Sequence, residues 1–152
     1  MAGNKSTKYF DDFKLGETMT TDAITMDQCD INTFAGFSGD YNPLHTDEEF
    51  AKKNTPFGGR IAHGFATVSK MTGKFNQLGY WDGSVMAMLE NGWTFHRPVR
   101  PGDTVHAELT IGELVESSKK DRGAVRIDFD VRNQRDETVI KGFLRLMLRK
   151  RP

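Results

Sequence analysis

The chain has a single cysteine, Cys29, among its 152 residues. That rules out an internal disulfide and fits a reducing compartment. Neither sign of charge dominates, since 21 basic residues face 21 acidic ones. No basic stripe is present that would suit a polyanion, so nucleic acid is not an expected partner. The basic residues Arg145, Arg149, Lys150 and Arg151 read as a solvated chain end. No apolar run approaches the roughly 20 residues of a membrane-spanning helix, and no secretory leader opens the chain. A membrane is therefore not expected as a partner, and the protein reads as cytoplasmic. Internal repeats and low-complexity tracts are absent. The length suits one domain with a substantial core and is too short for two. Residues 1–8 are polar and expected to be a flexible N-terminus, leaving residues 9–150 as the folded domain.

What is present divides into an irregular, helical first part and a β-rich remainder. Thr25-x-x-Gln28 has the form of a capping box before a helix expected over residues 27–37, with Ile31, Phe34 and Ala35 at helical spacing. A short helix with an acidic start is expected over residues 47–53. Residues 55–60 form a loop by their glycines and proline. Phe65, Val68, Met71, Thr72, Phe75 and Leu78 recur at steps of three and four, predicting a longer helix over residues 64–78 that ends at Gly79. Strands are expected near residues 17–24, 85–95, 105–111, 125–132 and 139–148, the middle pair with clear alternation. Consecutive strands without helices between them must pair antiparallel. The apolar face of the long helix must then be buried against that sheet. The expected class is α+β, an antiparallel sheet wrapped around a long central α-helix.

The segment Ser38-Gly39-Asp40-Tyr41-Asn42-Pro43-Leu44-His45 carries the chemistry. On a continuous helix, positions five apart diverge by roughly 140° and could not share a small ligand. Pro43 forbids a continuous helix there, and Asn42 before it is pushed toward extended geometry. A turn of this kind can aim Asp40 and His45 into one pocket. A paired carboxylate and imidazole can move protons to and from a bound water. Competing readings weaken other candidates. Asp40 before Asn-Pro could be only a turn former. His45 could cap the following helix, His63 reads as structural, and His96 and His106 as surface or interface residues. Cys29 reads as packing. A calcium loop lacks its glycine at the sixth position, where His45 stands. The serine near Gly39 lacks the spacing of a nucleophile elbow. Asp47-Glu48-Glu49 is better explained by a helix start than by a metal. No metal and no cofactor are therefore expected.

Phe34 to His45, followed by Ala62-His63-Gly64 and by Phe95-His96-Arg97-Pro98-Val99-Arg100-Pro101-Gly102-Asp103, resembles the MaoC-like, or (R)-specific enoyl-CoA hydratase, family. The resemblance covers residues 9–148. It implies a single hotdog domain and reversible syn addition of water to a trans-2-enoyl thioester, carried by coenzyme A or an acyl carrier protein, giving the (R)-3-hydroxyacyl product. On this resemblance Asp40 and His45 are the catalytic pair and the Gly64 N–H donates to the thioester oxyanion. Asn42 and Thr72 support the pair from behind. A homodimer or an assembly of dimers is implied. Phe65, Met71, Phe75, Trp81, Met86 and Trp93 could set pocket depth. Residues 76–91 form an insertion relative to the shortest family members. The alternatives on the same fold are a hydratase of a branched or dicarboxylic enoyl-CoA, a hotdog acyl-CoA thioesterase, and an acyl-thioester binding protein without catalysis.

Overall fold

The computed structural model describes residues 7–152. Most of the expected flexible N-terminus lies outside the described residues. Thr7 and Lys8 are held to the loop after the long helix, by bonds to the carbonyls of Asp82 (2.6 Å) and Tyr80 (2.8 Å). A 3-10 turn at Phe10–Asp12 precedes strands β1 (Thr18–Thr20) and β2 (Ile24–Thr25). Helices α1 (Gln28–Ser38), α2 (Pro43–Thr46), α3 (Glu48–Asn54) and α4 (Gly64–Asn76) follow, then strands β3 (Val85–Phe95), β4 (Thr104–Glu116), β5 (Arg122–Asn133) and β6 (Thr138–Arg149). Among the described residues no helix is long and apolar enough to cross a membrane.

The strands form one antiparallel sheet in the order β1-β4-β5-β6-β3, with β2 also on β4. The strand expected over residues 17–24 is thus two short pieces, both paired with β4. Alternation decides which face of each long strand is buried, because successive side chains point to opposite sides. Val105, Ala107, Leu109 and Ile111 of β4 and Val125, Ile127, Phe129 and Val131 of β5 are all buried. They meet Ala66, Val68, Met71 and Phe75 of α4 in one core. Each such large side chain contributes about 1.5–3 kcal/mol when fully buried. One row of the sheet runs Leu109, Phe129, Gly142, Trp93 across four strands. Gly142 is required there. A Cβ on it would lie 2.1 Å from the Trp93 ring and 2.5 Å from the Gly92 carbonyl oxygen. The indole uses that space to reach Phe129, edge to face at 5.3 Å.

Residues 76–91 partly belong to the core. Trp81 is buried, stacked on Phe13 at 5.0 Å and tilted on Phe75 at 4.3 Å. Helix α4 ends two residues earlier than its periodicity suggests, with Gly79 in the left-handed conformation (φ 73°) just beyond. The expected Thr25–Gln28 capping box is replaced by a reciprocal pair two residues further on. Asp27 and Asp30 bond each other's backbone N–H groups, while the Thr25 hydroxyl is drawn to Thr104 across the sheet at 2.8 Å. Cys29 is exposed rather than packed, because it falls on the outer face of α1.

Candidate active site

The site is built where α1 ends. Gly39, left-handed at φ 79°, closes the helix by donating its N–H to Ala35. Only glycine takes that conformation without cost, and it turns the chain sharply so that Asp40 leaves the helix axis. Asn42 is the N-cap of α2, its side chain accepting the Leu44 N–H at 3.0 Å, and Pro43 occupies the first helical position. The single turn of α2 then carries His45 inward. Asp40 stays exposed, its Oδ1 accepting the Asn42 N–H at 3.2 Å. Asn42 therefore supports the pair by shaping the turn. His45 does not cap the next helix; Asp47 caps α3 itself, accepting from Phe50 at 2.9 Å.

His45 is buried and locked from behind. Its Nδ1 lies 2.8 Å from the Ile61 carbonyl oxygen, which can only accept, so Nδ1 carries the proton and Nε2 keeps a free lone pair. Burial lowers the affinity of His45 for a proton below its ordinary value of 6.5. The Ile61 carbonyl opposes that shift, the neighbouring His63 adds to it, and Asp40 opposes it. The imidazole is thereby kept neutral, the form that can accept a proton.

His63, at the N-cap of α4, is also buried. Its ring lies on that of His45 with centroids 3.8 Å apart and planes inclined by 30°. Its Nε2 sits 2.9 Å from the main-chain oxygen of Asp40, and Nδ1 has no hydrogen-bond partner among the described residues. The Asp40 carboxylate and one nitrogen from each histidine lie within 4.8 Å of one another. The pair of rings is a poor metal chelate. Lone pairs lie in the ring planes, and planes so spaced and so inclined converge well beyond the roughly 2.0–2.1 Å reach of a histidine–metal bond.

Helix α4 begins at Gly64, against the same pocket. The N–H groups of its first turn have no acceptor within the helix and carry the positive end of its dipole. A cavity of about 340 Å³ opens beside them, lined by His45, Ile61, Gly64, Phe65, Thr67 and Phe95, with the 96–99 segment and Ile140 completing it. Its walls are mainly apolar. A side chain at position 64 would displace the Phe95 ring, since a Cβ would meet it at 2.5 Å.

The fold thus brings Asp40, His45, Asn42 and Gly64 together and leaves Thr72 aside. The Thr72 hydroxyl donates to the Ser69 carbonyl at 2.9 Å, and the residue lies roughly 12 Å along α4 from Gly64 at 1.5 Å per residue. The buried hydroxyl that does line the cavity is Thr67, without a hydrogen-bond partner among the described residues. Sequence spacing does not single it out, because Thr67 falls on the same helical face as apolar core residues. Of the large residues considered for pocket depth, Phe65 lines the cavity, whereas Met71, Phe75 and Trp81 are buried core. His96 also lines it, and His63 is in direct contact with the pair, which its neighbour Gly64 had overshadowed.

Residues 12–133 match the MaoC like domain model. The chain belongs to the MaoC-like domain family. It is 36% identical over 111 residues to an (R)-specific enoyl-CoA hydratase from Rhodospirillum rubrum, covering 73% of this chain and 74% of the relative. A 3-hydroxybutyryl-CoA dehydratase from Methylorubrum extorquens is 32% identical over 134 residues, covering 88% of this chain and 80% of the relative. The chain spans only 30% of the length of Protein MaoC from Klebsiella aerogenes. Among solved structures, a monoamine oxidase regulatory protein from Archaeoglobus fulgidus superposes with a TM-score of 0.90 at 37% identity, over 96% of this chain and 97% of that one. A Mycobacterium tuberculosis protein with a double hotdog fold superposes at 0.85 and 22% identity over 96% of this chain and 45% of that one, which places the MaoC-like sheet and helix in the hotdog fold.

Proposed function

We propose that this MaoC-like protein is a hydro-lyase that adds water reversibly to a trans-2-enoyl thioester, giving the (R)-3-hydroxyacyl thioester. The observation that carries the proposal is one arrangement: the Asp40 carboxylate beside the His45 imidazole, which itself lines an apolar cavity opening on the N-terminus of α4 at Gly64. The pairing supplies what the reaction needs. Water is a weak nucleophile, so His45 Nε2 accepts one of its protons while Asp40 holds the other by hydrogen bond. The water oxygen bonds to C3 and electron density moves through C2 to the thioester oxygen. The Gly64 N–H and the helix dipole stabilise that developing enolate. The pair then returns a proton to C2, and the double bond is consumed. Donor and acceptor work from one face, which makes the addition syn. Positioned acid–base groups contribute about 10²–10⁴-fold, and one lost oxyanion donor costs about 2.7–4 kcal/mol.

The relatives in Rhodospirillum rubrum and Methylorubrum extorquens, by their names, support a coenzyme A thioester as substrate. A homodimer is part of the same reading. Strand β3 pairs only with β6 among the described residues and carries exposed Val85, Met88, Leu89 and Phe95. An unpaired apolar edge is a liability that pairing with a second copy removes.

The test is loss of enoyl absorbance when purified protein meets crotonyl-CoA and then longer trans-2-enoyl-CoAs, with the product resolved on a chiral phase and free thiol assayed in parallel. Formation of the (R)-alcohol without coenzyme A release supports the hydro-lyase. Thiol release would instead establish a thioesterase, and no turnover on any chain length by folded protein would overturn the proposal.

A further inference from the structure

The site holds one buried ionisable side chain that the hydration steps leave without a task. We propose that His63 is a positioning residue that fixes the two halves of the catalytic pair relative to each other; this rests on the hydro-lyase reading. Asp40 and His45 belong to different short segments. Asp40 sits on an exposed turn, where its side chain is tied to the main chain by a single 3.2 Å bond to Asn42. His45 rides on one turn of helix. The Ile61 bond fixes one edge of the His45 ring but not its position relative to the Asp40 turn, and proton transfer does not tolerate freedom between the two, since a displacement of about 1 Å can cost on the order of 10²-fold in rate.

His63 removes that freedom from both at once. Its Nε2–H donates to the main-chain carbonyl of Asp40 at 2.9 Å, pinning the turn. Its ring face packs on the His45 ring at 3.8 Å, which blocks rotation of that imidazole about its side-chain bonds. Phe34 of α1 also packs against His63, with ring centroids 5.0 Å apart and planes inclined by 48°. The backbone completes the clamp, since the Ile61 carbonyl that orients His45 lies two residues before His63. An apolar residue could supply the packing and a surface amide the bond. Only a planar ring with a donor at its far end supplies both from one buried position.

The cost of this arrangement identifies it as more than packing. The Nδ1 atom of His63 is buried without a hydrogen-bond partner among the described residues, and leaving a polar atom unsatisfied in the interior is unfavourable. A phenylalanine would avoid that loss and keep the stack, yet it would release Asp40.

The experiment compares His63→Phe, which keeps the ring and loses the donor, with His63→Gln, which keeps a donor near the Nε2 position. Initial rates on crotonyl-CoA give kcat and KM separately, and nitrogen NMR of the His45 ring reports its tautomer. In His63→Phe, kcat should fall roughly 10- to 100-fold with KM changed less than about threefold, and His63→Gln should recover at least half of that loss on a logarithmic scale. The His45 ring should hold its Nδ1–H form in all three proteins, because the Ile61 carbonyl sets it, whereas the backbone amide signals of residues 40–42 should shift in His63→Phe and return toward wild type in His63→Gln. In His63→Phe, kcat within about twofold of wild type would overturn the proposal, as would a His63→Gln variant no better than His63→Phe. Should wild type hydrate no enoyl thioester, the hydro-lyase reading fails. NMR then still decides the positioning role, since backbone amide signals and exchange rates of residues 40–42 identical in wild type and His63→Phe would overturn it.

Discussion

Replacing Asp40 by asparagine separates chemistry from structure at this site. The carboxylate is exposed, and its one hydrogen bond among the described residues is accepted by Oδ1 from the Asn42 N–H. Asparagine keeps a carbonyl oxygen in that place. The bond from His63 to the main-chain carbonyl of residue 40 does not involve the side chain at all. Asp40→Asn should therefore leave stability within about 0.5 kcal/mol of wild type, as for other surface substitutions away from special features. For a protein of this length that is a melting shift of no more than ~2 °C. What the variant loses is an ionised acceptor for a water proton. Acid–base groups contribute about 10²–10⁴-fold, equivalent to about 2.7–5.4 kcal/mol of activation free energy at 1.36 kcal/mol per tenfold. The assay is kcat/KM on crotonyl-CoA, or on the shortest enoyl thioester that wild type hydrates, beside a thermal melt of each protein. A folded variant retaining activity within about threefold of wild type would refute the role given to Asp40. A variant whose melting temperature collapses would refute the reasoning about the turn.

Four further outcomes follow from the structure. Burial holds the His45 proton affinity below its ordinary 6.5, so the acid limb of kcat/KM should lie below pH 6.5; a limb at or above that value contradicts the assigned environment. The same depression has a stability sign. Below about pH 6.5 the unfolded chain binds a proton that folded His45 still refuses, so stability is lost as pH falls from there toward the folded value, and urea midpoints of His45→Gln should show a flatter decline. Gly142→Ala places a methyl 2.5 Å from the Gly92 carbonyl oxygen and 2.1 Å from the Trp93 ring, and should cost about 1–3 kcal/mol or more in denaturant titration; a neutral substitution would mean that the β3–β6 pairing is looser than described. Wild type should sediment as a dimer, whereas a Met88→Lys, Leu89→Lys variant should sediment as a monomer, because charge on an exposed edge opposes strand pairing; a dimer unaffected by both lysines would place the interface elsewhere.

The alternation in β4 and β5 was enough to place the buried apolar residues from Val105 to Ile111 and from Val125 to Val131, because a period of two leaves each side chain only one face to occupy, whereas Gly123 and Asn133, also buried, fall outside the expected spans. The turn at Asp40 was legible for an equally local reason. Gly39, Asn42 and Pro43 each have few backbone options, and together they leave one path that directs Asp40 and His45 toward each other. The acidic start of α3 and the apolar stripe of α4 were local in the same sense. Where competing local signals were close in strength, the reading slipped. Thr25 and Gln28 matched the capping pattern as well as Asp27 and Asp30 did, and the pairing of Thr25 with Thr104 across the sheet decided between them.

Sequence by itself determined the α+β class, the long helix against an antiparallel sheet, and the residues of the turn, since each depends on periodicity or on the conformational limits of one or two residues. Tertiary structure alone decided which hydroxyl and which histidines border the pocket. Thr67 and Thr72 are indistinguishable by composition and both fall on the predicted helix, yet only Thr67 faces the cavity. His63 sits 18 residues after His45, and no local rule connects two rings that far apart. Their stacking exists because α4 docks its N-terminus under the turn once the shared core is buried, and contacts between distant segments are set by that burial rather than by the residues on either side.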